Sequence, residues 1–249
     1  PLHQINRDNV HKLTRAWEAE TGMVGRLSAT PLQIGDGIYL CTAQNIMLAL
    51  DADTGAERWR FAPENDTPPY GIIGNCRGVT YVKLPDASPD EICAERIVTA
   101  TTDARMIAVD KTTGQPCPDF GEEGQISLLA GMGEVKPYFY FVTSPPTLAS
   151  GVLVVGGWVA DNQETNEPSG VVRAYEEGDD ASLTDIGGVG AHGGFPVEVL
   201  AKTSGDELVA SLSHDNVVRF FDATNAGAVK QMLAAASGSS YWAARSKRS

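Results

Sequence analysis

The 249-residue chain has no run of about 18 apolar residues, so no stretch of it reads as a membrane-spanning helix. A signal peptide is missing too; an export signal or anchor is expected upstream of Pro1. Basic residues are scarce. Nineteen Lys and Arg stand against 32 Asp and Glu, a net charge of −13, which repels phosphate and excludes nucleic acid as a partner. The four cysteines, Cys41, Cys76, Cys93 and Cys117, contain no CxxC pair, which argues against a zinc site. Cys76 and Cys93 flank a loop with Pro and Asp, and either bridge each other in an oxidising compartment or stay free and partly buried. What is present is 42% hydrophobic residues punctuated by 26 Gly and 14 Pro, enough for one large β domain or two smaller ones.

A repeat organises the first two-thirds. In "GIYLCTAQNIMLALDADTGAERWRF" (Gly37 to Phe61) an apolar strand, a short turn and a second strand lead to Asp51. The turn Asp53-Thr54-Gly55 follows, then a strand carrying Trp59. Asp and Gly at such turns supply side-chain-to-backbone bonds and positive φ. "RIVTATTDARMIAVDKTTGQPCPDFG" (Arg96 to Gly121) repeats this through Asp110 and Thr113-Gly114. "KLTRAWEAETG" (Lys12 to Gly22) is an earlier partial copy, with Trp17 expected in a strand. Another copy begins at "PPTLASGVLVVGGWV" and reaches "SGVVRAYE". Four-stranded units recurring in this way predict an all-β fold, a partial β-propeller.

Several motifs then agree in order. "QINRDNVHKLTRAWEAETG", "YLCTAQNIMLALDADTG", "NCRGVTY", "TSPPTL" and "DNQETNEPSGVVRAY" resemble the pyrroloquinoline-quinone (PQQ) dehydrogenases, and within them the membrane-bound glucose and quinate/shikimate group. The resemblance covers residues 1–175 and implies about three quinoprotein-type blades of an eight-bladed wheel.

At about residue 176 the repeat fails. Where the family continues with Asp, a Thr-Gly turn and a Trp strand, this chain has Glu176-Glu177-Gly178-Asp179-Asp180. "GAHGGFPVEVLAKTSGDELVASLSHDNVVRFFDATN" (Gly190 to Asn225) resembles one WD repeat instead. His192, Ser211 and Asp215 match members of its hydrogen-bond network, and Phe221 stands where an indole would donate. His192 reads as structural rather than catalytic. The expected organisation is residues 1–175 as quinoprotein blades, 176–225 as a WD-like repeat and 226–249 as a basic, low-complexity, disordered tail.

The resemblance also implies chemistry. Such enzymes oxidise a sugar or polyol hydroxyl by hydride transfer to PQQ, with Ca²⁺ or Mg²⁺ as Lewis acid and a membrane quinone as electron acceptor, at the periplasmic face of the inner membrane. Asp161 and Asn162 match a pair implicated around the metal, where hard oxygen ligands suit the cation; an ordinary Asp-Asn turn is the alternative. Thr143 and Ser144 match a segment lining the quinone pocket, or else a turn leading into a strand. Gln44 stands where glucose dehydrogenases commonly place a His near PQQ; it hydrogen-bonds but does not titrate. The vicinal cysteine pair of the alcohol-oxidising relatives is absent. Arg77 either forks onto a PQQ carboxylate or bridges two blades. The family's general-base Asp and PQQ-contacting Lys belong to later blades that residues 176–249 do not resemble, so the catalytic residues stay unassigned and this piece is expected to be inactive alone. Open propeller edges imply self-association. The rival reading is a non-catalytic β-propeller or WD-type interaction module; an outer-membrane assembly propeller is a weaker third, with no reason to carry "NCRGVTY".

Overall fold

A computed structural model describes residues 4–23, 27–65, 75–149, 151–160, 167–168, 170, 172–177, 183–189, 196–201, 208–213, 217–222 and 229–234, with backbone alone beyond Tyr175. A 3-10 turn (Val10–Lys12) precedes four antiparallel sheets of four strands, each in plain meander order. The first sheet is β1 (Leu32–Ile34), β2 (Gly37–Cys41), β3 (Met47–Asp51) and β4 (Glu57–Phe61). The second is β5 (Thr80–Lys83), β6 (Glu95–Ala100), β7 (Arg105–Asp110) and β8 (Gln125–Ser127). A two-stranded ribbon pairs β9 (Tyr140–Phe141) with a later strand, β12 (Trp158–Val159). The third sheet joins β10 (Thr147–Ala149), β11 (Val152–Gly156), β13 (Val172–Glu177) and β14 (Leu183–Val189). The fourth is β15 (Pro196–Ala201), β16 (Leu208–Ser213), β17 (Val217–Asp222) and β18 (Val229–Ala234). These are propeller blades.

The sequence pattern explains the layering. The middle strands β3, β6 and β7 are buried along almost their whole length, because neighbouring blades, or for one face of β3 the Trp17 segment, cover both of their faces. The outer strand β4 alternates: Trp59 is buried while Glu57, Arg58 and Arg60 reach solvent. One apolar cluster (Tyr39, Met47, Trp59, Ile97, Ile107 and neighbours) fills the space between blades one and two. A second (Val98, Met106, Phe120, Tyr140, Val142, Leu153, Tyr175 and others) fills that between blades two and three.

Tryptophan docking joins the early blades. The Trp59 indole donates to the Lys111 carbonyl at 2.9 Å, and its ring lies against Gly114. Trp17 does the same one blade earlier, donating to Ala52 O at 3.0 Å over Gly55. Both glycines have positive φ, +73° and +72°, and a Cβ on either would lie within 2.6 Å of the indole carbons. The turns themselves are copies. Asp51 Oδ1 accepts from the backbone N–H of Asp53 and Thr54 and from the Thr54 hydroxyl; Asp110 Oδ1 accepts from Thr112, Thr113 and the Thr113 hydroxyl. Another contact ties blade three to blade two. The buried Arg173 reaches back to blade two and donates to Leu128 O at 2.8 Å and to Ala130 O.

Four sequence expectations differ from the structure. Trp17 does not sit in a paired strand: among the described residues 14–20 make no backbone–backbone hydrogen bond, although the indole is docked. Cys76 does not bridge to Cys93, nor are the thiols free. Cys41 is bonded to Cys76 and Cys93 to Cys117, with Cα separations of 5.9 and 5.7 Å. The reason is topological: Cys41 ends β2 beside the segment leading into blade two, while Cys93 and Cys117 flank the same blade's β6–β7 hairpin. The break read at residue 176 falls inside β13, which continues to Glu177 and is completed by β14. Val229–Ala234, in the tail read as disordered, pairs with β17 as β18. His192 and Asp215 lie outside the described residues, and Ser211 is placed in β16 as backbone only.

Candidate functional site

The first strand of blade three, β10, lies next to β5 and β15, and the segments leading into blades one, two and three are tied together. Thr30 N–H donates to Arg77 O, and Arg77 N–H donates to Thr143 O, both at 2.9 Å. Thr30 and Gly78 form a parallel bridge. One backbone rung therefore runs across blades one, two and three and carries Arg77, Thr143 and Ser144 side by side. The Cys41–Cys76 disulfide clamps the same place, directly before Arg77.

Gln44 belongs to this end as well. β1 runs against β2 with Leu32 opposite Tyr39, which puts Thr30 level with Cys41 and the Thr42–Ile46 turn. That turn is held by the buried Asn45, at φ +59°, whose amide donates to Ala100 O (3.2 Å) and whose oxygen accepts from Thr102 N–H (3.3 Å). Asn65 donates to the Gln44 backbone carbonyl (3.0 Å) and to Asn45 Oδ1 (3.2 Å), and Arg105 donates to Asn65 Oδ1 at 2.6 Å. The exposed Gln44 side chain thus stands on a braced hairpin. In blade two the matching turn, Thr101–Arg105, places Asp103 where blade one has Gln44.

Arg77 is exposed, and Thr143 and Ser144 are half-buried. Among the described residues Arg77 makes no ion pair, so the blade-to-blade salt bridge weighed above is not formed. The arrangement is one cation, two hydroxyls and a neutral amide at one end of the first strands, which suits an anionic, carbonyl-rich ligand. Asp161 and Asn162 lie outside the described residues; Trp158–Val159 just before them pairs with β9, two residues from Thr143. The shallow depression lined by Asp103, Leu129, Lys136 and Tyr140 includes none of the predicted residues. Cys93, Cys117 and Asp119 cluster at metal-ligand distances, but the two sulfurs are bonded to each other and offer no thiolate. Sequence reading missed Asn45, Asn65 and Arg105; the positive φ demanded by a tight hairpin at Asn45 is the signal that points there.

Residues 1–179 match the PQQ family described as the glucose/ethanol/alcohol dehydrogenase β-propeller domain. The chain belongs to this family. Among curated relatives, this quinoprotein propeller is 40% identical over 188 residues to quinoprotein glucose dehydrogenase of Escherichia coli K12. It is 38% identical over 184 residues to the glycerol dehydrogenase large subunit of Gluconobacter oxydans, and 39% over 198 to quinate/shikimate dehydrogenase (quinone) of Acinetobacter baylyi. The first alignment takes in 71% of this chain and 24% of the relative, so the chain spans about a quarter of the curated proteins it matches. Among solved structures, a quinohemoprotein alcohol dehydrogenase of Pseudomonas putida HK5 superposes with a TM-score of 0.69 at 17% identity, over 94% of this chain and 37% of that one. That likeness is one of fold.

Proposed function

We propose that this quinoprotein propeller forms part of the PQQ-binding wall of a dehydrogenase that oxidises a hydroxyl of a sugar or polyol. Bound PQQ supplies a hydride acceptor, its carbonyl polarised by a divalent cation. The chain's own residues bind and orient. Arg77 forks onto a cofactor carboxylate, Thr143 and Ser144 donate hydroxyl hydrogen bonds, and the Gln44 amide donates without titrating near neutrality. Asp161 and Asn162 supply oxygen ligands for Ca²⁺ or Mg²⁺. A membrane quinone takes the electrons at the periplasmic face; among the described residues no helix is long and apolar enough to cross a membrane. The observation that carries the reading is the Thr30–Arg77–Thr143 rung, which sets the cation of Arg77, leading into blade two, beside the two hydroxyls of Thr143 and Ser144, leading into blade three.

Residues 176–249 resemble no blade that supplies a general base, so this chain is expected to bind PQQ without turning over. The test is PQQ retention in ultrafiltration with Ca²⁺ or Mg²⁺, beside dye reduction with glucose and quinate. Arg77→Ala should weaken retention about tenfold or more, as loss of a charge-assisted fork does. Retention indifferent to Arg77→Ala and to Thr143→Val overturns the assignment. No retention at high micromolar PQQ leaves the interaction-module reading.

A further inference from the structure

Trp158 is 40% exposed and, unlike Trp17 and Trp59, is not packed on a glycine turn among the described residues. Its position is fixed. β12 and β9 pair with Trp158 opposite Phe141, and the two rings meet at 5.2 Å with a 57° tilt. The ribbon has two faces. Tyr140, Val142 and Val159 point into the core between blades two and three, while Phe141 and Trp158 are outside that cluster. Strand alternation then puts Thr143 on the face of Phe141 and Trp158. The indole plate thus stands on the same side as a half-buried hydroxyl of the candidate site, backed by a buried Phe141 that stops it from collapsing inward. An aromatic face is electron-rich and apolar; the ring C–H face of a cyclic polyol is its complement, the hydroxyls at its rim being left for polar groups.

We infer that Trp158 is a specificity-determining residue, a stacking platform for the C–H face of a cyclic sugar or cyclohexane polyol. This rests on the sugar or polyol reading above, and it names the substrate class within it: rings rather than short open chains. A three-carbon polyol has no continuous face to lay on the indole.

The test labels the chain with 5-fluorotryptophan and assigns the Trp158 ¹⁹F resonance by its loss in Trp158→Phe. Glucose, quinate and glycerol are titrated with and without PQQ and Ca²⁺. The expected result is a saturable shift of the Trp158 signal with glucose or quinate, none with glycerol, and unmoved Trp17 and Trp59 signals. In PQQ-loaded protein, Trp158→Ala should weaken ring-polyol binding up to about tenfold while PQQ retention is unchanged. Equal shifts at all tryptophans, no shift at Trp158, or the same response to glycerol overturns the inference. PQQ retention is read separately, so a failure of the cofactor reading shows as lost retention, while the platform stands or falls on the polyol shifts alone.

Discussion

At the scale of the residue, the docking glycines carry the most consequence. Gly55 and Gly114 sit at positive φ beneath an indole, so Gly114→Ala adds both a strained backbone and an overlap with Trp59. The expected cost is about 2–4 kcal/mol, read as a lower urea midpoint with an altered Trp59 fluorescence. Charge makes a second prediction. The Arg58 guanidinium, with Thr54, holds the Asp51 carboxyl well below its ordinary range, and Lys111 with Tyr81 lowers Glu95. Groups depressed in the folded state stabilise above their unfolded pKa of about 4 and lose that contribution as pH falls. Stability should therefore drop below about pH 4, and Glu95→Gln should flatten that limb in denaturation run from pH 7 to 2. At the alkaline end burial and the Glu95 carboxylate push Tyr81 up to about 12. A raised tyrosine costs stability as pH climbs from about 10 through that value, and Tyr81→Phe should remove the loss.

At the scale of the element, the joins use two devices, tryptophan docking and a buried arginine, and sequence exposes them unequally. The Asp-x-x-Thr-Gly turns and their tryptophans are local, so the first two joins are legible from spacing. Arg173 is not: its partners are the carbonyls of Leu128 and Ala130, far away in sequence, and nothing in "SGVVRAY" announces them. Arg173→Met should cost about 1–3 kcal/mol, because the buried Leu128 carbonyl, left without its donor, loses its solvation as well as its bond. The disulfides teach the same lesson. Cysteine spacing suggested a bridge across the Pro-containing loop, yet the pairing follows which strand ends meet in space. Reduction should lower the melting temperature, and Cys93→Ala with Cys117→Ala should account for about 3 kcal/mol of it. Replacing Cys41 and Cys76 together should additionally loosen the rung at Arg77 and weaken PQQ retention.

At the scale of the whole molecule, the arc of blades was readable because the first two blades repeat one small grammar, and because "NCRGVTY" and "TSPPTL" fall at the leads into first strands. The site was readable only in part. Gln44 follows the end of β2, and Arg77, Thr143 and Ser144 lead into β5 and β10, so all four lie at one end, but the Asn45–Asn65–Arg105 brace crosses two blades and has no linear signature. The match to the family ends at residue 179, and a plain four-stranded meander, β15 to β18, continues beyond it. The segment 14–20 closes the picture. Its indole is pinned while its main chain bonds to nothing described. In deuterated buffer the peptide protons of Arg15 to Glu20 should be replaced within seconds, as in a random coil, whereas the Trp17 ring proton should persist with those of β3, an anchored side chain on a spine that water can still reach.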